Sequence, residues 1–195
     1  MTAPVKLNFS VYQGSTFKQL LRWESATVGY ANIVGITKGA PVQITAPAHG
    51  IPNNWRVKVN SVNGMKEINT GEVYYTATVK SANLIEINSI NSNSYTTYTS
   101  GGVIEYNTPV DLNDLTARFR IVETLGSTDI VYEATSTNGG IIIDTEDYTI
   151  TIVIPADVTA DFTFLKAVYE LSILRGSEVT PFATGIIYVE RGVVI

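Results

Sequence analysis

The stretch Leu115-Thr116-Ala117-Arg118-Phe119-Arg120-Ile121 sets apolar and polar side chains on alternate positions. Successive side chains of a strand point to opposite faces, so this pattern predicts a strand that buries Leu115, Ala117, Phe119 and Ile121 and turns Thr116, Arg118 and Arg120 outward. The same period of two recurs on either side of it. Val5, Leu7, Phe9 and Val11 alternate with polar residues near the start, Tyr148, Ile150, Ile152 and Ile154 do so again, and Tyr169, Leu171 and Ile173 repeat it near the end. Apolar residues at helical spacing are almost absent, which predicts an all-β chain.

Turn chemistry separates these runs. Asn63-Gly64, Gly101-Gly102 and Asn138-Gly139-Gly140 supply residues that tolerate positive φ at tight reversals. The one helical candidate is Pro155 to Phe164, where Pro155 suits a first turn; it predicts one short helix or a 3₁₀ turn. Composition shifts between Val28 and Asn107, where Asn, Ser and Thr are frequent and the strands, such as Arg56 to Asn60 and Val73 to Lys80, are short. The flanking strands are longer and more apolar. Residues 1–27 and 108–195 therefore read as one discontinuous domain, interrupted at polar loop-like ends by an inserted domain of residues 28–107. Within the insert, Asn88 to Gly102 is low in complexity, and its spaced Tyr95 and Tyr98 predict an ordered long hairpin.

The chain has 195 residues, 45% of them hydrophobic and 16% charged, with a net charge of -5. That composition suits one large core or two modest ones and lies outside the range of disordered chains. Cysteine is absent, which removes disulfides, thiolate nucleophiles and sulfur-ligated metals. No apolar run approaches the roughly 20 residues of a membrane helix, and the start lacks the apolar region of a signal peptide, so neither membrane insertion nor export is expected. With 18 acidic against 13 basic residues and no basic cluster, nucleic acid is not an expected partner.

Two resemblances join this reading. Gln13-Gly14-Ser15-Thr16-Phe17 leading into Leu20-Leu21-Arg22-Trp23, Val110-Asp111-Leu112 leading into the Leu115 strand, Tyr132-Glu133-Ala134-Thr135, and Ala167-Val168-Tyr169-Glu170-Leu171 with Gly185 to Glu190 resemble an immunoglobulin-like domain of tailed-phage baseplate upper proteins. The middle, with Val42-Gln43-Ile44-Thr45, Ala48-His49-Gly50, Arg56-Val57-Lys58-Val59, Val62-Asn63-Gly64-Met65 and Tyr74-Tyr75-Thr76, is similar to the small barrel first described as a catalytic-cysteine half-domain of ubiquitin-activating enzymes. That second resemblance implies no chemistry, since cysteine is lacking, and Asn53-Asn54 departs from the Gly-Asp more usual there. Together they imply an immunoglobulin-like β-sandwich carrying an inserted small β-barrel.

Catalytic candidates are few. His49 is the sole histidine, and its setting in Ala48-His49-Gly50-Ile51-Pro52 predicts a ring that hydrogen-bonds backbone across a turn, with Gly50 at positive φ, rather than a triad or metal ligand. Asp111 with Asp114, Asp144 with Glu146 and Asp147, and Asp157 with Asp161 fall at turns, where caps and Asx turns are expected; a calcium loop is the weaker reading. Gly139-Gly140 and Gly101-Gly102 lack the strand, helix and lysine context of a phosphate cradle. Trp23 and Trp55 are expected in cores. The apolar tail Arg191-Gly192-Val193-Val194-Ile195 predicts cover by a neighbour. No catalytic, cofactor or metal residue is assigned. The expected function is non-enzymatic: a bacteriophage virion protein of the tail, baseplate or neck that binds other virion proteins and copies of itself through apolar patches and edge strands. The alternatives are a capsid decoration or collar-fibre anchor protein and a carbohydrate-binding module using Tyr95 and Tyr98.

Overall fold

The computed structural model describes residues 3–191, so the tail from Gly192 to Ile195 and its expected cover lie outside the described residues. The chain is nearly all β and folds as two compact units, one made of the flanks up to Arg22 and from Asp111, the other of Trp23–Val110. In chain order, β1 (Val5–Lys6), β2 (Phe9–Tyr12) and β3 (Phe17–Arg22) belong to the outer unit. The middle unit follows with β4 (Glu24–Asn32), β5 (Gly35–Thr37), β6 (Val42–Thr45), β7 (Trp55–Asn63), the 3₁₀ turn Lys66–Ile68, β8 (Tyr75–Ser81), β9 (Leu84–Ile87) and β10 (Ser100–Pro109). The outer unit resumes with β11 (Leu115–Val122), β12 (Tyr132–Thr135), β13 (Ile141–Asp144), β14 (Thr149–Ile154), α1 (Ala156–Ala160), β15 (Lys166–Arg175) and β16 (Glu178–Glu190).

The outer unit is a sandwich of two sheets. One runs β1-β16-β15-β11-β12, with β2 also on β16; the other runs β13-β14-β3. Strands β1 and β2 lie parallel to β16, and the remaining pairs are antiparallel. Phe9, Val11, Phe119, Ile121, Leu171 and Ile187 of the first sheet and Ile141, Ile150, Ile152 and Ile154 of the second are buried. The aromatic rings of Phe9 and Phe119 share this interior, because Tyr169 lies 4.9 Å from the first and 5.1 Å from the second.

Two local expectations fail for identifiable reasons. Tyr148 stands in the turn before β14 at φ 53° rather than as its first buried residue. Val5 is exposed and Leu7 only half-buried, because β1 is a two-residue edge piece and the strand breaks at Leu7-Asn8. There the Asn8 side chain accepts the Ile186 amide at 3.0 Å, while Leu7 O accepts the Tyr169 hydroxyl at 2.8 Å. The one short helix expected within Pro155 to Phe164 is present as α1, with Pro155 as its extended N-cap.

In the middle unit all pairs are antiparallel, in the order β4-β10-β7-β8-β9-β6-β5. The amide of Ile33 donates to Gly102 O at 3.0 Å and that of Val34 to Thr45 O at 2.9 Å, so one extended stretch passes from pairing with β10 to pairing beside β6. The order thus begins and ends on the same segment. Trp55, Val57, Val59, Met65, Ile68, Ile85, Ile87 and Ile104 form a core separate from that of the sandwich. The unit reaches beyond residues 28–107 because the β4–β10 ladder extends to Glu24 opposite Pro109 and the Val110 amide donates to Trp23 O at 3.0 Å. Asn88 to Gly102 is not a long hairpin. Its strand starts only at Ser100, and the residues before it are held by local bonds such as Ser92 N to Gly39 O at 2.8 Å and Gly39 N to Ser92 Oγ at 3.0 Å. Gly101 and Gly102, at φ 71° and 101°, sit inside β10 rather than at a reversal.

Gly185 explains how β1 and β2 meet β16: a Cβ there would stand 1.6 Å from Leu7 O. Replacing Gly185→Ala should lower stability by about 1–3 kcal/mol through overpacking, and hydrogen exchange should show protection lost first in residues 5–12. Unchanged protection there would contradict the close approach.

Candidate functional site

Burying Ala117, Phe119 and Ile121 leaves Arg118, Arg120 and Val122 on the outward side of β11. The neighbouring strands match them in rows. Val122 lies opposite Val168, and Val168 opposite Ile186; Arg120 lies opposite Glu170, Glu170 opposite Thr184, and Thr184 beside Lys6; Arg118 lies opposite Ser172. These rows line a groove of about 760 Å³ on the outward face of the six-stranded sheet, within the range of about 300–1,000 Å³ common for ligand sites. Leu125, in the segment after β11, stands at its rim with 92% of its surface exposed.

The groove has two chemical ends. Val122, Val168, Ile186 and Leu125 make one apolar, and the rows of Arg120 and Arg118 with Lys6 make the other cationic. Three cations there face one carboxylate, Glu170, in a chain whose net charge is -5. Arg120 forms an ion pair with Glu133 on β12, and Ser172 Oγ donates to Glu170 at 2.6 Å. The arrangement suits a ligand with an apolar part beside carboxylates. The sequence placed Arg118 and Arg120 on the outward face, but none of these residues was read from it as part of a site; the available signal was that Val122, Val168 and Ile186 occupy outward positions of alternating strands.

The residues that sequence did single out lie elsewhere and mostly serve structure. His49 is buried, its Nδ1 accepts the Ile51 amide at 3.0 Å, and its Nε2–H donates to Ser81 O at 2.9 Å, with Gly50 at φ 63°. Both ring nitrogens are thus engaged with backbone, as expected. Asp111 accepts the Asn113 backbone and side-chain N–H groups, which hold its carboxyl below the ordinary value. Asp144 accepts the amides of Glu146 and Asp147, both at 2.9 Å, and Asp157 and Asp161 sit at the two ends of α1. Among the described residues, no three His, Asp or Glu side chains gather as a cation site would require. Trp55 is fully buried and donates to Asn107 O at 2.7 Å, whereas Trp23 lies between strands and is only half-buried. Tyr95 and Tyr98 are half-buried, and the Tyr98 hydroxyl is held 3.0 Å from Gly101 O, so they present no open aromatic platform.

Edge pairing at β12 is also blocked. Asn138 accepts the Thr135 amide at 2.8 Å and donates to Glu133 O at 3.2 Å, occupying the groups that a further strand would use. No protein-family model matches the chain, and no match to it was found among curated proteins.

Two measurements check these assignments. His49→Phe keeps a ring but leaves the Ile51 amide and the Ser81 carbonyl unpaired, so chemical unfolding should show a loss of about 2 kcal/mol or more; no change would return His49 to the list of candidate reactive groups. Glu67 accepts both the amide and the hydroxyl of Thr96, which lowers its pKa. A depressed carboxylate contributes stability above its unfolded value, about 4.3, and that contribution is lost as pH falls through the folded value. Protection of the Thr96 region should therefore fall in acid, and Glu67→Gln should flatten that dependence.

Proposed function

We propose that this chain is a non-enzymatic structural protein of a tailed-bacteriophage particle, placed in the tail, baseplate or neck. In this reading the outer unit is the immunoglobulin-like sandwich, which docks onto the particle, and the middle unit is a small barrel that meets another protein. The resemblance of the outer segments to a tailed-phage domain supports it, and the pairing order of the middle unit, which returns to the segment where it started, supports the barrel reading of that unit. The observation that carries it is the groove. A sheet face meant only for water alternates apolar-in with polar-out, yet this one sets Val122, Val168 and Ile186 in one outward row with Leu125 beyond them. Val122, Val168 and Ile186 are half-buried, so covering each gains only part of the about 1.5–3 kcal/mol of a full burial, whereas covering the exposed Leu125 gains most of it, and together they favour a docking partner.

An antibody raised against the purified chain, applied to gradient-purified particles from a culture that encodes it, tests the proposal. Gold label confined to the tail, baseplate or neck is the expected result. Label spread over the capsid makes it a decoration protein, and particles free of the chain overturn the proposal.

A further inference from the structure

The outer unit carries a second feature whose chemistry is the converse of the groove. The turn Asp144-Thr145-Glu146-Asp147, which joins β13 to β14, is exposed. Asp144 receives the amides of Glu146 and Asp147, so the turn is shaped by its own first residue, and neither Glu146 nor Asp147 forms an ion pair among the described residues. Beside them on β13, Ile142 is 54% exposed. An apolar side chain followed by carboxylates is what a groove with an apolar row and a cationic row accepts. Lys6 and Arg118 in that groove are likewise without an ion pair among the described residues.

We infer that the groove receives the acidic β13–β14 turn of a second copy of this chain, with Glu146 and Asp147 meeting Arg118 and Lys6 and Ile142 meeting the row of Val122, Val168 and Ile186. The inference rests on the reading of this face as a docking surface and names its occupant. The turn belongs to the three-stranded sheet and the groove to the outward side of the six-stranded one, so a copy does not fill its own groove. Groove and turn are different surfaces, and the contact is therefore head to tail. Repeated contacts of that kind close into a ring or continue as a fibre, depending on the rotation between copies. Because the matched groups are charged and lie near the surface, the association weakens as salt rises.

Sedimentation of the full chain over a range of concentrations, at low and high salt, tests this together with charge exchange. The wild-type chain should associate with rising concentration and dissociate in high salt. Arg118→Glu combined with Lys6→Glu should weaken association by about tenfold or more, as should Glu146→Lys combined with Asp147→Lys. An equimolar mixture of the two reversed proteins should associate again, since each then offers the charge that the other has lost. Circular dichroism and the melting midpoint of each variant establish that it is folded. A folded wild-type chain that stays monomeric at every concentration overturns the inference, as does association that survives both reversals or a mixture that fails to recover. Failure here with the chain present in particles leaves the virion reading standing. Recovery by charge exchange with the chain absent from particles refutes the virion reading and leaves this one.

Discussion

Tyr169 holds the outer unit together. Its ring is stacked with Phe9 at 4.9 Å and tilted against Phe119 at 5.1 Å, while its hydroxyl donates to Leu7 O at 2.8 Å. Three segments far apart in sequence thus meet on one side chain. Burial raises the hydroxyl's pKa well above the ordinary tyrosine value, so the phenol remains a donor at any physiological pH. The hydrogen bond fixes where Leu7 lies, Gly185 admits its carbonyl to β16, and the register of β1 and β2 follows. At the other end of β2, Gln13 donates to Ala160 O and Phe162 O, and Thr159 donates to Ser15 O, which fastens the next turn to α1.

A sheet held this firmly from within presents a defined outer face. The alternation that sends Phe119, Leu171 and Ile187 into the core sends Arg120, Glu170 and Ile186 out, and the register sets those outward residues in rows. The sheet's edge and its outer face are finished differently. At β12 the Asn138 carboxamide covers the free strand edge, which removes an indiscriminate route to pairing. On the sheet face an apolar row is left open beside charges, which favours partners of one shape and one charge pattern.

Much of the fold was legible because strand alternation is a local property. The core positions Phe9, Phe119, Ile150, Ile152, Ile154 and Leu171 follow from a period of two, and His49 followed from its loop. The misread elements depend on distant partners. Whether Leu7 is buried is decided by Tyr169 and Gly185, and whether Gly101 and Gly102 form a reversal is decided by β7, opposite which they continue the strand. The residues before Ser100 looked like a hairpin because spaced tyrosines imitate alternation, yet their polar side chains bond to Gly39 and Glu67 in place of a ladder. The groove was the least legible feature. Each lining residue is unremarkable in its own strand, and only the cross-strand register brings Val122, Val168 and Ile186 into one row.

The middle unit shows why a long segment costs the sandwich little. The Val110 amide bonds to Trp23 O, so the chain leaves and re-enters at nearly one point. Loop-closure entropy grows only with the logarithm of the intervening length, and Trp55, Met65 and the isoleucines around them bury their own apolar surface to offset the ordering of that length. Its pairing order returns to the segment from β4 to β5, which leaves few open strand edges to recruit other chains. The contacts that hold its fold are accordingly internal to the unit. On its surface Lys58 and Arg56 stack on Tyr74 and pair with Glu72 and Glu24, so these charges are satisfied within the unit itself.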